Sequence, residues 1–382
     1  MKNKFLKSLA VMLGILPSIT WALGQDLNFS GKCQANSPFA AISFVGDILI
    51  HKMLYLNVVS ESKDFSQIWR PINPLFAKAH FSIANLEGPA AMGIDAQGRD
   101  WGDVGFIYDD RVYSGTKMVF NYHPRILENL RNSGIDLLTL ANNHSLDRGA
   151  IGIDKTVNAA RSYGIPTVGV RHSQERNGAF YKTVSIRGIN VAFVGCTEST
   201  NGRGDSKSQV LNCFKPEAES LVRELAARSD VDAVIVYPHW GEEYKQTPNS
   251  KQVAGAKRFL DAGAIAVVGS HPHVLQPWDK YVTKDGRETF IVYSLGNFVA
   301  GQKDVERKAS AVMYLGLAKN DQGKTQITGV AYTPTVRNGV KIYPVGSSGD
   351  RAVLSYLNKH YGSQRMLDIN ESLGLKLCRS LP

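Results

Sequence analysis

DLLTLANNHSLDRG, running from Asp136 to Gly149, changes character halfway. Leu137-Leu138-Thr139-Leu140 is a short apolar run of the kind that fills a sheet covered on both faces. It stops at Ala141-Asn142-Asn143-His144, and a helical pattern begins near Gly149. In sheets of this class, ligands sit outside the carboxyl ends of the strands, where an amide and an imidazole project here. Asn142 and Asn143 also suit an ordinary turn. Repetition elsewhere in the chain decides between these readings.

Upstream, Ala40 to Val45 reads as a buried strand ended by Gly46-Asp47, followed by Ile48-Leu49-Ile50-His51 leading into a helix. Phe81 to Ala84 is a second strand, ending in Asn85-Leu86-Glu87-Gly88-Pro89. Residues 90–121 show no sustained period and read as a long loop or lid, a length more often functional than idle. His123 to Ser133 fits a helix. Downstream, a helix over Gly149 to Tyr163 leads to a strand over Pro166 to Val170. Phe180 to Ile186 and Asn190 to Cys196 read as a hairpin. Helices over Pro216 to Ser229 and Ser250 to Gly263 precede strands over Ala233 to Tyr237 and Ala264 to Gly269. Those strands end in Pro238-His239-Trp240 and Ser270-His271-Pro272-His273. Phe290 to Leu295 runs into Gly296-Asn297-Phe298. Ala311 to Leu317 and Gln326 to Val336 alternate as late strands before a helix around Ala352 to Tyr361. Helices between central strands, with antiparallel strands added later, imply an α/β fold: a four-layer α/β/β/α sandwich of two mixed sheets.

The first residues set the compartment. Lys2, Lys4 and Lys7 precede an apolar core too short to span a membrane, with small residues before Gln25, so residues 1–24 read as a secretory signal peptide. Residues 25–382 are then expected to form one domain, with a core at about 40–300 and C-terminal strands and a helix at 301–382. A soluble periplasmic or secreted protein follows, with no transmembrane segment after signal removal. Cys33, Cys196, Cys213 and Cys378 are an even set suited to disulfides in an oxidising compartment. Of the three pairings, Cys196 with Cys213 would close a loop and Cys33 with Cys378 would tie the ends together. The net charge of +10 falls to about +7 without the signal lysines. Its scattered basic residues argue against nucleic acid and are compatible with an anionic partner.

Five strand ends carry Asp47, Glu87, Asn143 with His144, His239, and His271 with His273. Carboxylates, an amide oxygen and imidazoles suit Mn, Fe or Zn. They suffice for one or two divalent ions, and Glu87 is long enough to bridge a pair. Asp47 could instead cap a helix. His271-Pro272-His273 is more specific, because an extended segment before proline would point both imidazoles the same way.

The segments FVGDILIH, IANLEGP, LTLANNHSLDRG, VIVYPHWGEEY, VGSHPHVLQ and YSLGNF, in order from Ile42 to Phe298, resemble the signature set of the capsule synthesis protein CapA family. That family is linked to poly-γ-glutamate capsule synthesis and is similar in fold to calcineurin-like metallophosphoesterases. The resemblance implies that Asp47 and His273 hold a first ion and that Asn143, His239 and His271 hold a second, with Glu87 between them. It also implies that His144 protonates a leaving group while metal-bound water attacks. The phosphoesterases carry a histidine two residues after their first aspartate; here that position is Leu49, and His51 comes later. His51, Asn85, Trp240, Glu242 and Asn297 are further candidates, and Tyr293 could line the same pocket. The expected function is metal-dependent hydrolysis of an anionic small molecule. The alternative is a non-catalytic polymer-binding or export component with a degenerate metal site. Expected partners are a poly-γ-glutamate-like polymer and capsule synthesis machinery at the inner membrane.

Overall fold

A computed structural model describes residues 27–34, 37–116 and 118–378; the expected signal peptide lies outside them. The strand Phe39–Ile48 shows why the chain layers as it does. Ala40, Ile42 and Phe44 point to one side and join the core between two large sheets, while Ala41 and Val45 point to the other. A strand buried on both faces needs a sheet below it and helices above it.

The first sheet has eight strands. Across it lie Lys341–Pro344, Thr325–Asn338, Ala309–Lys319, Phe39–Ile48, Phe81–Leu86, Leu137–Thr139 and Thr167–Val168, and Asn297–Val299 also pairs with Phe39–Ile48. The second sheet has six, in the order Leu275–Val282, Glu288–Leu295, Ala266–Val268, Ala233–His239, Ile189–Thr197 and Tyr181–Ile186. The first is antiparallel from Lys341–Pro344 to Phe39–Ile48 and parallel from there to its other edge; the second is parallel at the centre with an antiparallel strand at each edge. Phe81 of the first sheet stacks on Phe193 of the second at 5.4 Å. Tyr237 OH donates across the same layer to Val45 O at 2.5 Å. Helices Lys52–Glu61, Arg125–Asn132 and Gly149–Ser162 cover the outside of the first sheet, and Pro216–Ala227 and Ser250–Asp261 that of the second. The expected α/β/β/α sandwich is what the chain forms.

Three strands of the two large sheets were not read from the sequence. Leu275–Val282 is an edge strand, where Pro277 removes a donor and Gln276, Asp279 and Lys280 break the apolar run. Asn297–Val299 and Lys341–Pro344 are short. Residues 90–121 carry one small ribbon, Ser114–Thr116 with Val119–Asn121. Cys33 is bonded to Cys378 and Cys196 to Cys213. Among the described residues, no helix is long and apolar enough to cross a membrane.

Candidate metal centre

Register brings the strand ends level. Asp47 pairs with Asn85 on one side and Asn297 on the other, and Asn85 with Thr139 beyond. Gly46 permits this approach: a Cβ there would lie 1.9 Å from Gly296 O. In the second sheet His239 ends its strand and bridges to Ser270. The carboxyl ends of both sheets therefore open onto one place, and the side chains there are almost wholly buried.

Glu87 lies at its centre. Its Oε1 is 3.6 Å from His239 Nε2, 3.7 Å from His273 Nε2 and 4.0 Å from His144 Nε2. Neither carboxylate oxygen has a hydrogen-bond partner. Glu87, His271 and His273 offer ligand atoms that all lie within 4.8 Å of one another, a set that could hold a metal ion. His239 Nε2 is 3.0 Å from His271 Nδ1 and 2.9 Å from Asn143 Oδ1. Asp47 sits behind the imidazoles, its oxygens 3.6 Å from His239 Nδ1 and 3.5 Å from His273 Nδ1. It accepts hydrogen bonds from Asn85 Nδ2 at 2.7 Å and His271 N at 3.1 Å. Asn297 Oδ1 is 3.0 Å from His273 Nδ1.

His144 is held from behind by a partner missed in the sequence. Its Nδ1 is 2.8 Å from Asp147 Oδ2, which also accepts from Phe120 N at 2.7 Å. Its Nε2 is buried without a hydrogen-bond partner. The Phe120 ring stands edge-on to the imidazole at 4.7 Å. The signal was present: Asp147 follows His144 by three residues in a turn before a helix. Asn142 was read only as a turn residue, yet its Nδ2 donates to Asn85 Oδ1 at 3.2 Å and Leu86 O at 2.8 Å.

Electrostatics follow from this burial. Burial pushes the Glu87 carboxyl well above the usual range; the His273 charge opposes this, and Asp47 adds to it. For Asp47, burial also raises the carboxyl, but hydrogen bonds and charge from His239 and His273 outweigh it and hold the group well below the usual range. Burial lowers His239 and His271, the latter helped by the neighbouring imidazoles. His273 is lowered by burial too, yet Glu87 and Asp47 reverse the sign and push it up to about 9.

Other candidates fall outside the cluster. His51 Nδ1 accepts from Gly301 N at 3.1 Å, and its ring packs on Phe120 at 5.6 Å. Trp240 is a core residue, stacked on Phe214 with its indole N–H donating to Tyr293 O at 3.2 Å. Tyr293 belongs to that same core cluster. Glu242 is exposed, whereas the charge of the neighbouring Glu243 acts on both Glu87 and His273. The extended conformation expected for His271-Pro272-His273 is not found. His271 has φ 101° and His273 φ 57°, and the two imidazoles converge, 5.8 Å between centroids, through a strained turn. Such backbone costs about 1–3 kcal/mol per residue and persists where its surroundings enforce it.

A family model described as "Bacterial capsule synthesis protein PGA_cap" matches residues 41–302. The PGA biosynthesis protein CapA of Bacillus subtilis is 28% identical over 288 residues, covering 75% of this chain and 70% of that protein. The capsule biosynthesis protein CapA of Bacillus anthracis is 28% identical over 316 residues, covering 80% and 70%. Among solved structures, the NAD nucleotidase of Haemophilus influenzae is similar with a TM-score of 0.48 and 13% identity, covering 87% of this chain and 57% of that one.

Proposed function

The chain belongs to the bacterial capsule synthesis PGA_cap family, and from that premise we propose that its strand-end cluster is the centre of a metal-dependent hydrolase. The substrate would be an anionic envelope or capsule metabolite, with phosphoesterase-like chemistry. One observation carries this reading: Glu87 buries both carboxylate oxygens without a hydrogen bond, facing imidazoles. Buried polar groups are normally satisfied, and a carboxylate among imidazoles is the donor set of a divalent cation. Glu87, His271 and His273 would hold it. His239 Nε2 and Asn143 Oδ1 lie beside that set and would complete it or take a second ion. Asp47 we assign to orientation: it faces the Nδ1 atoms of His239 and His273 and so directs their Nε2 atoms inward. Mn, Fe or Zn all fit these donors.

A bound divalent cation would supply Lewis acidity and charge neutralisation for attack by water. The chain's own contribution is proton transfer. His144, fixed through Nδ1 by Asp147, would present Nε2 as general acid to the leaving oxygen. Burial of the cluster excludes bulk water and strengthens each of these interactions.

Export fits the two disulfides, which suit an oxidising compartment. We place the protein, as one domain over residues 25–382, in the periplasm or outside the cell, working with capsule synthesis machinery at the inner membrane. A second reading, a non-catalytic polymer-binding component, is favoured by Leu49, a buried core residue where phosphoesterases carry a histidine. Metal analysis of the purified protein and turnover of a generic phosphodiester with added Mn separate the two. The hydrolase reading expects bound metal and turnover, both lost in His271→Ala. No metal and no turnover in the unaltered protein would eliminate it.

A further inference from the structure

The disulfide Cys196–Cys213 closes a loop that leaves the strand Ile189–Thr197 and returns to the helix Pro216–Ala227. The base of the loop is also zipped by hydrogen bonds: Thr197 N donates to Leu211 O and Cys213 N to Thr197 O, each at 2.9 Å. The polar segment between the two cysteines is thus a short arm on a rigid base. Its tip reaches the cluster described above. Asn201, at φ 52°, accepts through Oδ1 from Asn143 Nδ2 at 3.3 Å. Arg203 N donates to Thr200 O at 3.0 Å, and Arg203 O accepts from Thr200 Oγ1 at 2.6 Å, so the tip is folded on itself.

That fold places Arg203 Nε 3.4 Å from Asp147 Oδ1, an oxygen that is buried and otherwise without a hydrogen-bond partner. The pair is an electrostatic contact rather than a full hydrogen bond, since the oxygen is left unsatisfied. The Arg203 side chain is 37% exposed, and its Nη1 and Nη2 donate to none of the described residues. One edge of the guanidinium therefore leans on Asp147 beside His144, while the other makes no hydrogen bond to the described residues on a side chain that is partly exposed. A planar guanidinium fork presented in this way matches an oxyanion in two-point contact.

We propose that the disulfide-closed arm is a recognition element, and that Arg203 binds a carboxylate or phosphate carried by the ligand on the His144 side of the cluster. This rests on the reading of the Glu87–His271–His273 cluster as the ligand site, and it adds a chemical requirement: a second anionic group beyond the one at the cluster. The ligand would then be polyanionic, and discrimination against a neutral analogue would reside in the arm rather than in the metal ligands.

Equilibrium binding tests this without turnover. The unaltered protein and Arg203→Gln are titrated at fixed low salt with a γ-linked glutamate pentamer, with its analogue amidated at the pendant α-carboxylates, and with inorganic phosphate. The expected result is roughly tenfold weaker binding of an anionic probe by Arg203→Gln, the size of a lost charge-assisted pair, with less than a twofold change for the amidated analogue. If the pentamer alone shows the effect, the anion is a carboxylate; if phosphate alone shows it, a phosphate. Cys196→Ser with Cys213→Ser is expected to weaken the same probe severalfold, because the arm loses its base. Unchanged anion binding in Arg203→Gln, an equal loss for the amidated analogue, or no binding of any probe by the unaltered protein would overturn the proposal. Absence of hydrolysis alone would sink the hydrolase reading and leave binding to decide the role of the arm.

Discussion

Two parts of this molecule bury titratable groups without giving them hydrogen-bond partners, and they meet the cost differently. On the buried face of the helix Arg351–Tyr361, His360 is 1% exposed with neither ring nitrogen bonded, packed edge-on against Tyr356 at 4.9 Å. At the strand ends, both oxygens of Glu87, His144 Nε2 and Asp147 Oδ1 are left unbonded together. A lone imidazole escapes by staying neutral, and burial lowers His360 to about 4. The strand-end groups face one another, so protonating one changes what its neighbours need: Glu87 and His273 are both pushed up while Asp47 is pushed down. No single proton settles such a set. Isolated orphaned atoms are tolerated packing; convergent ones call for a ligand.

The sharpest way to break this contrast is Glu87→Gln. If the cluster is built for a cation, losing the anionic ligand should abolish stoichiometric metal binding and lower kcat/KM by about 10³-fold or more, read by metal analysis and diester turnover. His360→Phe should change neither. A Glu87→Gln protein that retains full metal content would place the two regions in the same class.

A smaller effect is expected at His144. Replacing it with Gln removes the general acid but no proposed ligand, so kcat should fall by roughly 10²-fold, within the range for proton transfer, at unchanged metal content. The loss should shrink on substrates whose leaving group needs no proton. Equal losses on good and poor leaving groups would show that His144 only shapes the pocket.

The extent to which this arrangement was legible in the sequence depended on the physics behind each signal. The central strands announced themselves because burial on both faces leaves continuous apolar runs, as in Phe39–Ile48. Asp47, Glu87, Asn143, His239 and His271 were readable as a set only because such runs end at one edge of a sheet. The reason offered for His271 and His273 was wrong while the convergence held. Positive φ at both residues comes from tertiary contacts, His271 N reaching Asp47 Oδ2 at 3.1 Å, and no local propensity reports that. Glu242 was read as a candidate and Glu243 was not for the same cause: which of two adjacent carboxylates acts on the cluster depends on a turn, with Tyr244 at φ 64°. Trp240 looked like a pocket residue from its place after His239, but a strand alternates, and the neighbour of an inward side chain points away.

The last test sharpens the contrast through pH. His360 is held at about 4 in the folded chain, chiefly by burial and then by the Lys359 charge, against an ordinary 6.5. Between those values the unfolded chain takes up a proton that the folded chain refuses. Stability at this group is therefore present above pH 6.5 and lost as pH falls toward 4. His51 and His123, also lowered to about 4, act in the same direction. His273 acts oppositely: with its folded value pushed up to about 9, its contribution is complete below 6.5 and lost as pH rises through 9. His360→Phe should thus reduce the stability lost between pH 7 and pH 4.5 by about 2 kcal/mol, from denaturant midpoints at the two values. It should leave the alkaline limb unchanged. An acid limb as steep in His360→Phe as in the unaltered protein would mean that His360 does not stay neutral by burial, and that the two regions do not differ as argued.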